Sequence, residues 1–127
     1  TYLSVSTPVQ CAAAELLERG ADVRRQIHER VRRNLAAGER LVAAQPACRL
    51  LTAEGGWYAV LQVPTFMAEE DLMLSLLAED HVLTHAGYFF DFPAESFLIV
   101  SLLTEEAAFA EGVGRILDRF RADPEGR

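Results

Sequence analysis

The segment that decides the expected fold runs from Val82 to Leu103 and reads VLTHAGYFFDFPAESFLIVSLL. Two apolar runs typical of β-strands flank a loop that holds one glycine and four aromatic residues. These are Gly87, Tyr88, Phe89, Phe90 and Phe92. A surface hairpin normally carries Asn, Asp or Gly in its loop, because these residues favour tight turns. Aromatic side chains there indicate instead that a ligand, another domain or another chain covers residues 86–92.

Length and composition predict one globular domain. The chain has 127 residues, of which 50% are hydrophobic and 24% charged, enough for one core and too few for two ordinary domains. No apolar run approaches the roughly 20 residues that cross a bilayer, and the start lacks a signal-peptide pattern. Cys11 and Cys48 lack metal-ligand spacing, and we expect both to be buried and reduced. We therefore expect a cytoplasmic protein with no membrane partner and, because the chain does not begin with Met, a piece of a longer protein.

Charge argues against a nucleic-acid partner. The formal net charge is −7, and the chain has no basic stripe interleaved with aromatic residues. The densest basic cluster alternates with apolar positions at helical spacing, so we interpret it as the solvated face of a helix. Its members are Arg24, Arg25, Arg30, Arg32 and Arg33. All 12 basic residues are arginine, which excludes a lysine Schiff base within this chain.

Apolar spacing and end signals predict four helices. The first spans Gln10–Arg19, and the long second helix follows Asp22 and stops before Gln45-Pro46. The third begins at the acidic run Glu69-Glu70-Asp71, and the last begins near Glu105. The expected N-caps are Thr7, Asp22 and Thr104. The expected buried positions of the last two helices are Leu72, Leu76, Leu77, Phe109, Val113, Ile116, Leu117 and Phe120.

Strand-like runs complete the predicted domain. They are Arg49–Leu51, Trp57–Val63, Val82–Thr84 and Phe97–Leu102. Strands combined with helices in this order predict an α+β two-layer sandwich. We expect a small, mostly antiparallel sheet of three or four strands, with the long N-terminal helix and two further helices on one face. Residues 1–9 form a lead-in, 10–121 the domain, and 122–127 a frayed tail.

Five motifs occur in an order that is specific as a set. They are Ser6-Thr7-Pro8-Val9-Gln10 followed by Ala12-Ala13, Arg32-Arg33-Asn34, Glu54-Gly55-Gly56-Trp57-Tyr58, Val82-Leu83 followed by Ala86-Gly87-Tyr88-Phe89-Phe90, and Phe97 to Ser101. Together they resemble the C-terminal small domain of the fold-type I aminotransferases, the pyridoxal-phosphate (PLP) enzymes related to aspartate aminotransferase. One departure is Ala86, where the family loop has Pro.

The resemblance implies that two domains of a parent enzyme have different roles. The parent would transfer an amino group between an amino acid and a 2-oxo acid as a homodimer. A large domain, which this chain lacks, would hold PLP and the catalytic lysine, and the cofactor ring would accept electrons from the substrate. The small domain would close over the substrate and exclude water. No catalytic, cofactor-binding or metal-binding residue is therefore assigned in this chain. Gly87, Tyr88, Phe89 and Phe90 would form the wall of the substrate pocket.

Ile99 is the main departure from the family pattern. It occupies the position of the family's arginine that grips the substrate α-carboxylate, a task suited to a bidentate guanidinium. Three explanations stay open: an arginine of the large domain substitutes, the substrate differs, or the domain is non-catalytic. Two alternatives therefore accompany the enzyme hypothesis. One is a ligand-binding or regulatory α+β module, and the other is a degenerate aminotransferase-like domain of a transcription regulator.

Several other residues have simpler explanations than a site. His81 and His85 should flank one short strand on the same side, as a solvated or hydrogen-bonded pair rather than metal ligands. Trp57 and Tyr58 should lie in the core, because a strand of this composition needs a buried face. Asp91 should be solvated in the loop.

Overall fold

A computed structural model describes residues 4–92 and 96–121. Within them lie four α-helices: α1 (Thr7–Arg19), α2 (Ala21–Ala43), α3 (Glu69–Asp80) and α4 (Glu106–Asp118). The strands are β1 (Arg49–Leu50), β2 (Tyr58–Gln62), β3 (His85–Ala86) and β4 (Phe97–Ser101), and a 3₁₀ helix spans Gly87–Phe90. The predicted α+β class is confirmed. The predicted tail, 122–127, and the first three residues of the lead-in lie outside the described residues.

The four strands form one antiparallel sheet in the order β1-β2-β4-β3. β2 and β4 pair along their whole length, although α3 and β3 lie between them in sequence. Ile99 of β4 lies opposite Val60 on one side and His85 on the other. Because directly opposite residues share a face, these three side chains lie on the same side of the sheet.

The core lies between the other side of the sheet and three helices. Side chains alternate along a strand, so Ala59, Leu61, Leu98 and Val100 share the second side and are all buried. One buried cluster joins them to residues of α2, α3 and α4: Val42, Leu72, Leu76, Phe109, Val113, Ile116 and Leu117. The predicted buried face of the last helix is confirmed. We call this side of the sheet the helix-covered face. The opposite side, where none of the described α-helices packs, is the helix-free face.

The predicted strand at Val82–Thr84 is wrong. His81 ends α3 in the left-handed conformation, with φ of 57°, and the amide of Val82 donates to the carbonyl of Leu76 at 3.0 Å. This turn redirects the chain, so pairing with β4 starts only at His85. His81 and His85 therefore do not flank one strand, and the described residues contain no cluster of three or more potential metal-ligating His, Cys, Asp or Glu.

The three predicted N-caps are also wrong by one or two residues. The N-caps are Ser6, Gly20 and Glu105. The Glu105 carboxylate accepts from the amides of Ala107 at 3.0 Å and Ala108 at 3.1 Å. These hydrogen bonds, the one from Ala108 foremost, lower the pKa of Glu105. The Thr104 hydroxyl donates to the carbonyl of Ser101 instead.

Four side chains predicted to be buried are exposed: Cys11, Trp57, Tyr58 and Leu77. Cys11 lies on α1, which buries none of its residues, whereas Cys48 is in the core, where burial raises the pKa of its thiol. The apolar residues that recur at helical spacing along α2 are buried only in part, since Val23 and Ile27 are exposed while Val42 is buried. No helix within the described ranges is long and apolar enough to span a bilayer.

Candidate functional site

The helix-free face carries a layer of aromatic rings over its centre. The 3₁₀ helix follows β3 and brings the Phe90 ring centroid to 5.8 Å from Tyr58 and 6.2 Å from His85. Because β2 and β3 flank β4, the Phe90 ring spans across β4. Phe89 lies 6.5 Å from His85 and 4.3 Å from Tyr88. We call Tyr58, His85, Tyr88, Phe89 and Phe90 the aromatic platform.

The platform is exposed on its outer side. Its four Tyr and Phe residues keep between 41% and 58% of their surface accessible, although rings of this size bury well in a core. Trp57, whose ring is 6.4 Å from Tyr58, extends the exposed aromatic surface. Exposed apolar patches of this kind mark binding sites or interfaces. The predicted loop 86–92 thus presents aromatic residues outward, and Asp91 is exposed as expected.

Ile99 lies beneath this platform. It is only 2% exposed and yet does not belong to the core cluster on the helix-covered face. The register places it between Val60 and His85, and Phe90 spans the two strands beside it. A ligand on the helix-free face would therefore meet aromatic rings before it met Ile99. Of the five residues predicted for the pocket, three present rings outward, while Gly87 and Ile99 are buried.

The sequence gives no sign of one buried acidic residue next to the platform. Glu69, at the start of α3, is only 3% exposed. One carboxylate oxygen, Oε1, accepts from the backbone amides of Ser96 and Phe97, each at 2.7 Å. The other, Oε2, accepts from the amide of Tyr88 at 3.1 Å. In the sequence, Glu69 is one of three consecutive acids at a helix start, and nothing there distinguishes it from its exposed neighbours Glu70 and Asp71.

Gly87 makes this arrangement possible because its backbone approaches other atoms closely. A β-carbon at this position would lie 2.8 Å from Cβ of Phe97 and 3.1 Å from Oε1 of Glu69. The first distance is shorter than a non-bonded carbon contact allows. Any larger residue would therefore push the 3₁₀ helix away from β4 and from the Glu69 carboxylate.

Solved structures share this architecture. A PLP-dependent aminotransferase from Streptococcus suis superposes with a TM-score of 0.73 at 19% identity, over 85% of this chain and 29% of that one. The aromatic aminotransferase from Pyrococcus horikoshii gives 0.74 at 18% identity, over 87% and 30%. LysN, the α-aminoadipate aminotransferase of Thermus thermophilus, gives 0.64 at 27% identity, over 89% and 28%. This chain has the fold of part of a PLP-dependent aminotransferase.

The matched share agrees with the predicted location. The chain spans under a third of the length of each of these aminotransferases, which is consistent with a C-terminal small domain, as the resemblance predicts. No protein-family model and no curated protein matches the sequence. At these identities the likeness shows the fold alone.

One motif of the resemblance, Arg32-Arg33-Asn34, acts structurally in this aminotransferase small-domain fold. The buried side chain of Asn34 donates to the carbonyls of Leu102 at 3.0 Å and Thr104 at 2.7 Å. Arg33 pairs with Glu106 at 2.7 Å. These three contacts fasten α2 to the turn after β4 and to the first residue of α4.

The residues of this small-domain fold do not fit the role of a cofactor anchor. PLP is held as a Schiff base by a lysine amine, and the chain contains no lysine. The platform offers aromatic surface and the imidazole of His85 instead. The side chains of the platform can therefore contact a ligand, orient it and exclude water.

Proposed function

We propose that the chain is the C-terminal small domain of a PLP-dependent aminotransferase, which transfers an amino group between an amino acid and a 2-oxo acid. The observation that carries the proposal is the aromatic platform on the helix-free face, where the domain has an exposed surface in place of a second helical layer. In this proposal Gly87, Tyr88, Phe89 and Phe90 line the substrate pocket, and Ile99 supports them from beneath.

The platform's role is to close the pocket. A large domain outside this chain holds PLP and the substrate, and the small domain moves against it so that the rings exclude water from the reacting centre. Apolar rings suit this task, because burying their exposed surface is favourable by roughly 25 cal/mol per Å². The chain is inactive by itself, since it lacks the lysine.

The substrate carboxylate is bound elsewhere in this proposal. Ile99 offers no charge, and a carboxylate pressed against apolar rings without a partner would lose its hydration uncompensated. Of the three explanations for Ile99, a substituting arginine of the large domain is compatible with the geometry and keeps the activity.

Further exposed apolar surface, outside the aromatic platform, supports a covering partner. α1 buries none of its residues, and the start of α2 is equally open. The exposed side chains are Val9, Leu16, Leu17, Val23 and Ile27. We assign this surface to contacts with the large domain and with a second subunit of a cytoplasmic homodimer.

The decisive experiment uses the full-length parent, expressed from its own reading frame and supplied with PLP. We expect an absorbance band of the lysine-bound cofactor that disappears when the correct amino acid is added. The matched control is the 127-residue chain, which should give no such band because it has no lysine. A reading frame without a lysine-bearing large domain, or a parent whose cofactor band no amino acid changes, would contradict the enzymatic proposal.

The burial of Ile99 favours a second candidate. A domain with no cation at this position also suits a degenerate aminotransferase-like domain of a transcription regulator, or a non-catalytic ligand-binding module. A parent that carries a DNA-binding domain and binds PLP and an amino acid without turnover would support the regulator. Multiple-turnover transamination would exclude it.

A further inference from the structure

The Glu69 carboxylate connects two segments that flank the centre of the helix-free face. Oε2 accepts a hydrogen bond from the amide of Tyr88, in the first turn of the 3₁₀ helix. Oε1 accepts from the amides of Ser96 and Phe97, where β4 begins. The first segment carries the rings of the platform. The second leads into the strand that carries Ile99. One side chain therefore sets the position of the rings relative to the strand beneath them.

This carboxylate does more than complement the dipole of α3. An exposed acid in the first turn suffices for that purpose, and Glu70 and Asp71 are both exposed there. Glu69 is buried instead, and within residues 4–92 and 96–121 no basic side chain forms an ion pair with it. Burying a charge in this way is unfavourable unless hydrogen bonds satisfy it. The three amides, which form charge-assisted bonds, supply that compensation.

The backbone around Glu69 is shaped to fit it. Ser96 has a φ of 134°, a conformation that a non-glycine residue keeps only when its surroundings impose it. Its amide donates to Glu69, and its carbonyl accepts from the amide of Val63 at 2.8 Å. Gly87 has no β-carbon to interfere with the carboxylate. The neighbouring backbone thus accommodates this single carboxylate on both sides.

We infer that Glu69 is a positioning residue that fixes the aromatic platform on the helix-free face. Its effect on a substrate rests on the proposed function, whereas its effect on the platform does not. The residue touches no reacting group in this inference and acts only through the backbone of Tyr88, Ser96 and Phe97.

Glu69→Gln is the sharpest variant, because it keeps the size and replaces one oxygen by an NH₂ group. The remaining oxygen can satisfy the two amides of Ser96 and Phe97, so the new NH₂ group faces the Tyr88 amide, donor against donor. Glu70→Gln is the matched control, since it removes the same charge from the same helical turn at an exposed position. The readout is amide hydrogen exchange of the 127-residue chain, measured residue by residue.

We expect the Tyr88 amide to exchange at least about tenfold faster in Glu69→Gln than in the wild type, as the loss of one charge-assisted hydrogen bond implies. Glu70→Gln should leave its exchange rate within about twofold. Gly87→Ala, which pushes on the same contact from the other side, should accelerate Tyr88 as well. An unchanged Tyr88 rate in Glu69→Gln overturns the inference. If Glu69→Gln and Gly87→Ala both fail to fold, the wild type decides. Unprotected amides of Tyr88, Ser96 and Phe97 would overturn the inference, whereas protection of all three would support it.

The full-length parent supplies a second readout that a purely structural role would not produce. We expect Glu69→Gln to raise KM for the amino acid by about tenfold with kcat within about threefold, because the chemistry lies in the large domain. Equal KM values in Glu69→Gln and Glu70→Gln would count against positioning of the pocket. A parent without transamination, combined with accelerated Tyr88 exchange, would refute the proposed function while the positioning of the platform stands.

Discussion

The two faces of the sheet are formed by the same strands but are covered in different ways. On the helix-covered face, Leu61 and Leu98 pack against side chains of three helices, and almost nothing there is exposed. On the helix-free face, one layer of rings covers Ile99, and each Tyr or Phe ring keeps at least 41% of its surface open. Both sides of the first interface are therefore buried. On the second, the strand residue Ile99 is buried, but the rings that cover it are exposed to solvent.

The difference lies in what holds each cover in place. Apolar packing fixes the helices, and it acts over many contacts at once. The platform depends on a few ring contacts and on the hydrogen bonds that Glu69 makes to backbone amides. We conclude that the helix-covered face supplies most of the stability, whereas the helix-free face keeps its rings exposed for the contacts that we propose. The following four predictions test this division.

The largest effect is expected from Ile99→Arg, which places the arginine that the resemblance implies for this position under a cover of aromatic rings. An unpaired buried charge typically destabilises a protein by about 3–5 kcal/mol. We therefore expect the free energy of unfolding, measured by urea denaturation, to fall by at least about 3 kcal/mol. Ile99→Met is the control of similar size and should cost less than about 1.5 kcal/mol. An arginine variant as stable as the wild type would show that Ile99 is not enclosed by the platform.

On the opposite face, Leu98→Ala should lower the free energy of unfolding by about 3 kcal/mol, because it leaves a cavity among residues that cannot collapse into it. Leu98 is fully buried against the helices. The comparison with Leu83→Ala is informative, since Leu83 is 72% exposed and its truncation should change stability by less than about 0.5 kcal/mol. Similar losses at the two positions would contradict the location of the core.

Phe90→Ala should have a smaller effect on stability than Leu98→Ala. Its ring contacts with Tyr58 and His85 are edge-on or tilted, and such pairs contribute about 0.5–1.5 kcal/mol beyond burial. We expect the free energy of unfolding of Phe90→Ala to fall by about 1–2 kcal/mol in the same urea experiment. Phe90→Leu should lie between the wild type and Phe90→Ala. A loss as large as that of Leu98→Ala would mean that the platform is part of the core and would remove its distinction from the helix-covered face.

The smallest effect is expected at Glu105, the N-cap of α4, a helix that packs on the helix-covered face. The folded state lowers the pKa of Glu105 from the ordinary 4.5 through the amides of Ala108 and Ala107. The stabilisation that the Glu105 carboxylate provides is therefore complete above pH 4.5, and it is lost as the pH falls through the lowered pKa of Glu105. Glu105→Gln should melt a few degrees lower than the wild type near pH 7, and the gap should close in acid. A gap that is independent of pH would exclude the carboxylate as its cause.

The sequence predicted the helix-covered face well, because periodic apolar residues carry that information locally. The spacing of Phe109, Val113 and Ile116 places them on one side of α4 whatever the partner is, and all three are buried. Errors occurred where a residue's surroundings come from distant segments. Tyr58 belongs to a run with the composition of a core strand, but it lies on the helix-free face and is exposed. Leu77 follows a buried leucine but is exposed.

The candidate site was predictable only in part. The aromatic loop 86–92 was evident from its unusual composition, and its rings do gather on one face of the sheet. Glu69 was not evident, since its carboxylate meets amides 19, 27 and 28 residues away along the chain. No local pattern records such a contact. The shift of β3 to His85 was missed because a left-handed turn at His81 is rare for a non-glycine residue.

By itself, the sequence determined the class of the fold, the order of its α-helices, and the segment that carries the rings. These features follow from residue spacing and composition, which act over one or two turns of chain. Only the tertiary structure decided which side of the sheet the α-helices cover, that Ile99 lies beneath the rings, and that the buried Glu69 carboxylate accepts from the backbone amides beside them. Each of these depends on which distant segments meet, because burial and hydrogen bonding of a side chain are settled by its neighbours in space.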